Sequence, residues 1–235
     1  MTDPASPTTG RLLHRVVRNI VRLPQRTLGA LARTFDPNYA LERRAKELLD
    51  QWPADKLARL HTISGRCSFR ECRLVAYLAL HAPAGGDIVE IGALHGRVTA
   101  WLVEAAELRP DRPAVHSIDP HQLGTWDEFN ATVKAFRLTE RSLRIHRADS
   151  SVFGHTWSEP ISCLWIDGAH EYDDVRQDIA NFAPHVIAGG TVAFDDAAGG
   201  LFPGVERAIS EWESHTAAFR RVATLRNVTV FQRAP

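Results

Sequence analysis

Residues 87–96 read Asp-Ile-Val-Glu-Ile-Gly-Ala-Leu-His-Gly, a short apolar run that ends in a glycine turn. The run is continuous rather than alternating, which is the pattern of a strand covered on both faces. Gly92 frees the backbone to turn sharply and to approach a ligand, and Gly96 stands where the next helix opens. A helical stretch follows over 96–108, so the passage reads as the first strand-helix unit of a parallel sheet.

Working downstream, further apolar runs at 114–118, 142–146, 161–166 and 191–194 read as strands, with helical stretches over 127–138, 172–186 and 205–215 between them. Val175, Ile179, Phe182 and Val186 form one helical stripe, and Val205, Ala208, Ile209 and Trp212 another. Strands and helices alternating at this spacing predict a doubly wound, mostly parallel α/β sheet with right-handed crossovers. The last two strands, 219–224 and 228–232, have only Leu225, Arg226 and Asn227 between them. That is too short for a parallel crossover, so a seven-stranded sheet of Rossmann-like type should end in an antiparallel hairpin.

Upstream, Ser68 and Glu71 have capping-box spacing ahead of the apolar stretch 74–80, and the helix they open should stop before Pro83. The expected domains are therefore a helical N-terminal extension, 1–67, and a main domain, 68–235. In the extension, residues 11–35 pair Leu12, Val16 and Ile20 with Leu13, Val17 and Val21 and interleave arginines, giving a basic amphipathic helix that Pro24 breaks or kinks. Such a helix lies at a membrane surface, packs on the core or pairs with a second copy as a homo-oligomer, and the sequence leaves these open. A more mixed helical stretch follows over 39–60.

The 235 residues carry no formal net charge, yet the first 35 hold six arginines against one acid, Asp3, so the rest is net acidic. An acidic main domain argues against nucleic acid and for small-molecule partners. Three cysteines in no metal-ligand spacing fit free thiols, and no apolar run reaches the ~18 to 20 residues of a membrane span. No secretory signal pattern opens the chain, and the expected location is cytoplasmic.

Open parallel sheets bind ligands beyond the carboxyl ends of their strands, so the residues just after each strand carry the chemistry. They are acidic here. Asp119 follows the second strand, Asp149-Ser150 the third and Asp167 the fourth, while Glu90 and Gly92 sit at the end of the first. Each acid alone could be a helix cap or turn residue. As a set they predict a site for a polar ligand.

Leu164-Trp165-Ile166-Asp167-Gly168-Ala169-His170-Glu171-Tyr172, then Val175 and Asp178, then Gly189-Gly190-Thr191-Val192-Ala193-Phe194-Asp195-Asp196, carry a more specific signal. Over residues 68–232 the chain resembles the class I S-adenosylmethionine-dependent methyltransferases, and within them the metal-dependent sugar O-methyltransferases of macrolide and aminocoumarin biosynthesis. The resemblance implies that Glu90, Gly92 and Ala93 form the cofactor loop ahead of Gly96. It further implies that Asp119 accepts both ribose hydroxyls, that Asp149, with Ser150, faces the adenine, and that His170 is the general base. A dehydrogenase would place G-x-G-x-x-G after the first strand, and Ala93-Leu94 breaks that spacing.

Methyl transfer from a sulfonium to an alcohol is an in-line displacement, and an unactivated hydroxyl needs its proton removed or its oxygen placed on a metal. Asp167, Asp195 and Asp196 end the fourth and fifth strands, which as neighbours would lie ~4.8 Å apart. Hard carboxylate oxygens suit Mg²⁺ and leave positions for a substrate diol. Asp167 is the alternative base to His170. Asp195 and Asp196 can both ligate only if the strand has ended before them. Trp126 and Phe129 are expected either to close over the ligands or to pack. The expected activity is methylation of a hydroxyl on a small oxygen-rich acceptor; the rival readings are a diverged hydroxylase-like relative and a non-catalytic binding module.

Overall fold

In the computed structural model, residues 36–235 are described; the expected basic helix at 11–35 lies outside them. Leu41–Pro235 forms one compact unit; of the other unit, Met1–Ala40, the described part is the start of helix α1 (Pro37–Leu49). The stretch expected as one mixed helix over 39–60 is two, because Pro53 cannot continue a helix and stands as the cap of α2 (Ala54–Leu60). Ser68 then caps α3 (Phe69–His81) with both arms of the capping box made: its hydroxyl accepts from Glu71 N at 3.3 Å and its own N donates to Glu71 Oε2 at 2.6 Å.

The parallel units follow in order: β1 (Asp87–Ile91), α4 (Arg97–Leu108), β2 (Val115–Ile118), α5 (Trp126–Ala135), β3 (Leu143–His146), α6 (Ser150–Gly154), β4 (Ile161–Ile166) and α7 (Tyr172–Phe182). After them come β5 (Val186–Phe194), α8 (Pro203–His215), β6 (Phe219–Leu225) and β7 (Val228–Arg233). The sheet runs β3-β2-β1-β4-β5-β7-β6, and the closing hairpin is made, with Leu225 opposite Val228. β7 slips between β5 and β6, so it alone runs against the rest of the sheet.

Side chains alternate across each strand, and that alternation feeds two apolar layers. Ile88 of β1, Cys163 and Trp165 of β4 and Ala193 of β5 pack toward α3 and α4. Val89 and Ile91, Leu164 and Ile166, and Val192 and Phe194 pack toward α7 and α8. With both faces covered the strands read as unbroken apolar runs. Large side chains buried this fully, such as Trp165 and Phe194, each contribute about 1.5 to 3 kcal/mol.

The helix expected over 172–186 stops at Phe182, because Pro184 removes a donor; a 3₁₀ turn, Ala183–His185, delivers the chain into β5 five residues before the expected start at 191. The expected boundary at residue 67 falls inside the compact unit, since Trp52, Leu60, Ile63 and Cys67 belong to the same buried layer as α3 and α4. Trp52 stacks on Trp101 with ring centres 5.8 Å apart. Among the described residues no helix is long and apolar enough to cross a membrane.

Candidate active site

The sheet ladder continues one residue beyond four strands, and this sets the row of candidate residues. Gly92 N donates to Ile118 O, Asp119 N to His146 O, Asp167 N to Ile91 O and Asp195 N to Ile166 O, at 2.9 to 3.1 Å. Each acceptor is the last residue of a strand, so Gly92, Asp119, Asp167 and Asp195 stand side by side on the carboxyl edge. A cavity of about 710 Å³ opens there, lined by residues of both the glycine loop and the acidic strand ends.

Gly92 has φ 87°, and a Cβ on it would sit 2.0 Å from the Asp167 carbonyl oxygen. Only glycine lets the β1 turn lie flat on β4, which joins the two halves of the cavity. Asp119 holds that turn: its Oδ2 accepts from Ala93 N and Leu94 N, both at 2.8 Å, and its Oδ1 from His121 N at 2.6 Å. Of roughly four lone-pair positions on a carboxylate, that leaves one for a ligand. Asp149 caps α6 through Ser151 N at 2.9 Å and, like Ser150, lines the cavity.

Two of the expected loop residues stand apart from the cavity lining. Glu90 faces the α3 and α4 layer, fully buried, where Thr99 donates its hydroxyl to Oε2 at 2.5 Å and Oε1 has no hydrogen-bond partner. Burial pushes its carboxyl up to about 8. Gly96, in the left-handed region at φ 82°, opens α4 against the Phe129 ring. Phe129 is wholly buried and Trp126 packs on it with ring centres 6.0 Å apart, so the packing reading holds for both and neither covers the cavity.

On the β4–β5 side β5 ends at Phe194, and Asp196 turns at φ 51°. The two neighbouring acids therefore escape the strand's alternation but diverge. Among the described residues two sets of potential ion ligands have their donor atoms within 4.8 Å of one another: Cys67, Asp167 and Asp195, and Asp167, His170 and Asp196. The expected trio of aspartates is split between them, with Asp167 shared. His170 Nε2 lies 3.0 Å from Asp196 Oδ2, outside hydrogen-bond alignment, and its ring stacks on Phe202 at 4.1 Å. The loop bearing His170 is pressed by α8: a Cβ on Gly204 would meet His170 O at 2.7 Å and Tyr172 N at 2.8 Å.

Burial, and then the neighbouring Asp195, push Asp167 well above the usual carboxylate range. Asp195 is pushed up to about 6 by burial and by Glu71, and its Oδ1 is buried without a partner. Just behind this edge Asp178 is raised to about 7 by burial, against the opposing effect of a hydrogen bond from Ser150. Two contributors had no signal in the sequence. Cys67 reaches Asp167 Oδ2 at 3.0 Å across 100 residues, and Arg97 fixes the loop that carries it, donating to Ile63 O at 2.8 Å and to Cys67 O at 2.6 Å.

The family model described as a methyltransferase domain matches residues 89–197, from β1 to the acid pair. The chain carries a methyltransferase domain. Among solved structures this methyltransferase is similar to CalS11, the TDP-rhamnose 3'-O-methyltransferase of calicheamicin biosynthesis, at 17% identity and a TM-score of 0.58, over 82% of this chain and 93% of that one. It is also similar to the O-methyltransferase TomG of Streptomyces achromogenes, determined with S-adenosylmethionine, at 15% identity and 0.56, over 72% and 82%. A third likeness is to a putative rRNA methylase from Clostridium thermocellum, at 12% and 0.54, over 73% and 100%. Identities this low speak for the fold: a class I, S-adenosylmethionine-dependent methyltransferase architecture, which by itself selects no acceptor. No curated protein matches the sequence.

The residues present fit such a cofactor. The turn at Gly92 admits no side chain, the adjoining cavity is continuous, and Asp119, Asp149 and Ser150 present polar atoms along it.

Proposed function

We propose that this methyltransferase transfers a methyl group from S-adenosylmethionine to a hydroxyl of a small, oxygen-rich acceptor, a sugar or glycosylated metabolite, with help from a divalent ion. Gly92, Ala93, Asp119, Asp149 and Ser150 bind the cofactor; Asp167, flanked by Asp195 and Asp196, holds the ion. The observation that carries this reading is the position of Asp167: its backbone floors the glycine turn while its side chain belongs to both sets of potential ligands.

The donor set fits a cation. Asp195 Oδ1 is buried without a partner, and acids crowded in a low-dielectric site repel one another unless positive charge joins them. A bound divalent ion supplies the Lewis acidity that makes a hydroxyl more acidic, and carboxylates alone favour Mg²⁺. His170 then takes the acceptor proton, with Asp196 3.0 Å from its Nε2 to stabilise the resulting imidazolium. The same distance favours a second reading, in which His170 joins Asp167 and Asp196 as a ligand and Asp167 or solvent takes the proton.

Incubating the protein with labelled S-adenosylmethionine, Mg²⁺ and a panel of sugar-bearing and sugar-free hydroxyl compounds, read by mass spectrometry, tests the proposal. Label should enter the sugar hydroxyls. Label confined to nitrogen, carbon or nucleic-acid acceptors would overturn it.

A further inference from the structure

The thiol of Cys67 enters the acidic corner from outside the strand ends and touches two of its carboxylates. It sits in the loop between α2 and α3, 6% exposed, with Sγ 3.0 Å from Asp167 Oδ2 and 3.4 Å from Asp195 Oδ2. A thiol has a single proton, so it can donate to only one of the two carboxylates at a time. Asp195, only 8% exposed, keeps its other oxygen without any partner. Hydrogen bonding therefore leaves this corner short of positive charge.

The same separations suit a different occupant. Taking metal–oxygen bonds of ~2.0 Å and metal–sulfur bonds of ~2.3 Å, neighbouring sulfur and oxygen ligands stand roughly 3.0 Å apart at a right angle and ~3.5 Å apart at a tetrahedral angle. Both observed distances fall in that span. The sulfur is also held in place before any ion arrives. Arg97, on the first turn of α4, takes the carbonyls of Ile63 and Cys67 at once, and its guanidinium lies 4.7 Å over the Phe69 ring.

We propose that Cys67 is a thiolate ligand of the divalent ion, bound together with Asp167 and Asp195, and that it tunes the site toward a borderline-soft cation such as Zn²⁺ or Co²⁺ in preference to Mg²⁺. This rests on the ion assigned above and adds Cys67 to its ligands Asp167 and Asp195, with Asp196 beside them on the His170 side. On coordination the S–H bond breaks, its proton leaves to solvent, and the sulfur lone pair forms the bond to the metal; no redox change is involved. Soft sulfur beside two hard oxygens raises affinity for the later first-row metals, while the remaining positions stay open to an acceptor diol.

Cobalt makes the test direct. Chelator-stripped full-length protein is titrated with Co²⁺ and its electronic spectrum recorded, in the wild type and in Cys67→Ser, with near-UV circular dichroism confirming the fold. The expected result is a sulfur-to-cobalt charge-transfer band in the near ultraviolet together with visible d–d bands. In Cys67→Ser the charge-transfer band should vanish, the d–d bands remain, and Zn²⁺ affinity by calorimetry fall roughly 10- to 100-fold with Mg²⁺ affinity nearly unchanged. If Cys67→Ser misfolds, Cys72→Ser and Cys163→Ser decide the case: both should keep the charge-transfer band, and loss of the band in either would overturn Cys67 as the ligand. Visible bands without charge transfer would overturn the thiolate and leave the carboxylate-bound ion standing. No Co²⁺ binding at all would overturn the ion as well. A charge-transfer band that persists in Cys67→Ser would assign the sulfur to Cys72 or Cys163 and overturn the proposal.

Discussion

The two halves of the cavity treat their carboxylates in opposite ways. On the β1–β3 side Asp119 accepts three backbone N–H groups and Asp149 caps a helix, so the charges are satisfied by the chain itself. On the β4–β5 side Asp195 keeps an unpartnered buried oxygen, and Asp167 shares its corner with two further acids and a thiol. The first half is organised by the chain itself; the second leaves carboxylate oxygens without donors, as the proposed cation would require. On the proposed function, a preorganised donor half and a charge-starved acceptor half would suit an enzyme with two substrates and an ion on one side.

The largest effect should come from the charge-starved half. Chelation with EDTA, or Asp196→Ala, should abolish turnover while S-adenosylmethionine still binds, as read by calorimetry beside the methylation assay. His170→Ala should retain the ion and lose about 10² to 10⁴ in rate. If that variant loses the ion instead, the histidine is a ligand and the base lies elsewhere.

The satisfied half predicts a smaller, binding-only effect. Asp119→Ala should weaken cofactor affinity by about 1.5 to 3 kcal/mol, the scale of hydrogen bonds to a charged group, and leave metal affinity unchanged. Equal losses in both would show that the two halves are not separable.

Asp195 tests the contrast through pH. Its carboxyl is raised to about 6 in the fold against ~3.9 unfolded, so the native state binds more protons between those values. Stability from this group is therefore lost as pH rises through that window, and the cost is fully present above it. In chelator, Asp195→Asn should be more stable than wild type above pH 6 by on the order of 2 kcal/mol, with the advantage fading toward pH 4. Denaturant midpoints across that range check it, and an advantage independent of pH would mean that Asp195 carries no unrelieved charge. The smallest effect belongs to residues 1–35: deleting them should leave the near-UV circular dichroism unchanged, because the compact unit begins at Leu41.

How much of this was readable from the chain follows the same divide. The strands announced themselves because two helical layers bury both their faces, and the acids after them were placed by counting one residue past each run. The end of α7 was missed by four residues because the stripe through Val186 outlasts the helix that Pro184 stops. That Asp195 and Asp196 fall in different groups of potential ligands was not readable, because a left-handed turn at a non-glycine residue leaves no mark in a pattern of apolar positions. Cys67 and Arg97 could not be seen at all: their partners lie between 30 and 128 residues away, and only the folded topology brings them together. Glu90 matched a motif, yet its parity on β1 points it into the α3 and α4 layer.

The contact of Gly204 with the His170 loop sets where this enzyme can be re-engineered. A methyl group there has no room, so a library that varies the start of α8 would mostly sample displaced histidines. Leu123 and Leu201 border the same cavity at 76% and 75% exposure and carry no core packing. On the proposed function, randomising Leu201, which follows the acid pair, should broaden acceptor scope with the reacting groups left in their native register, whereas changes at Leu123, in the loop after Asp119, should act on the cofactor half.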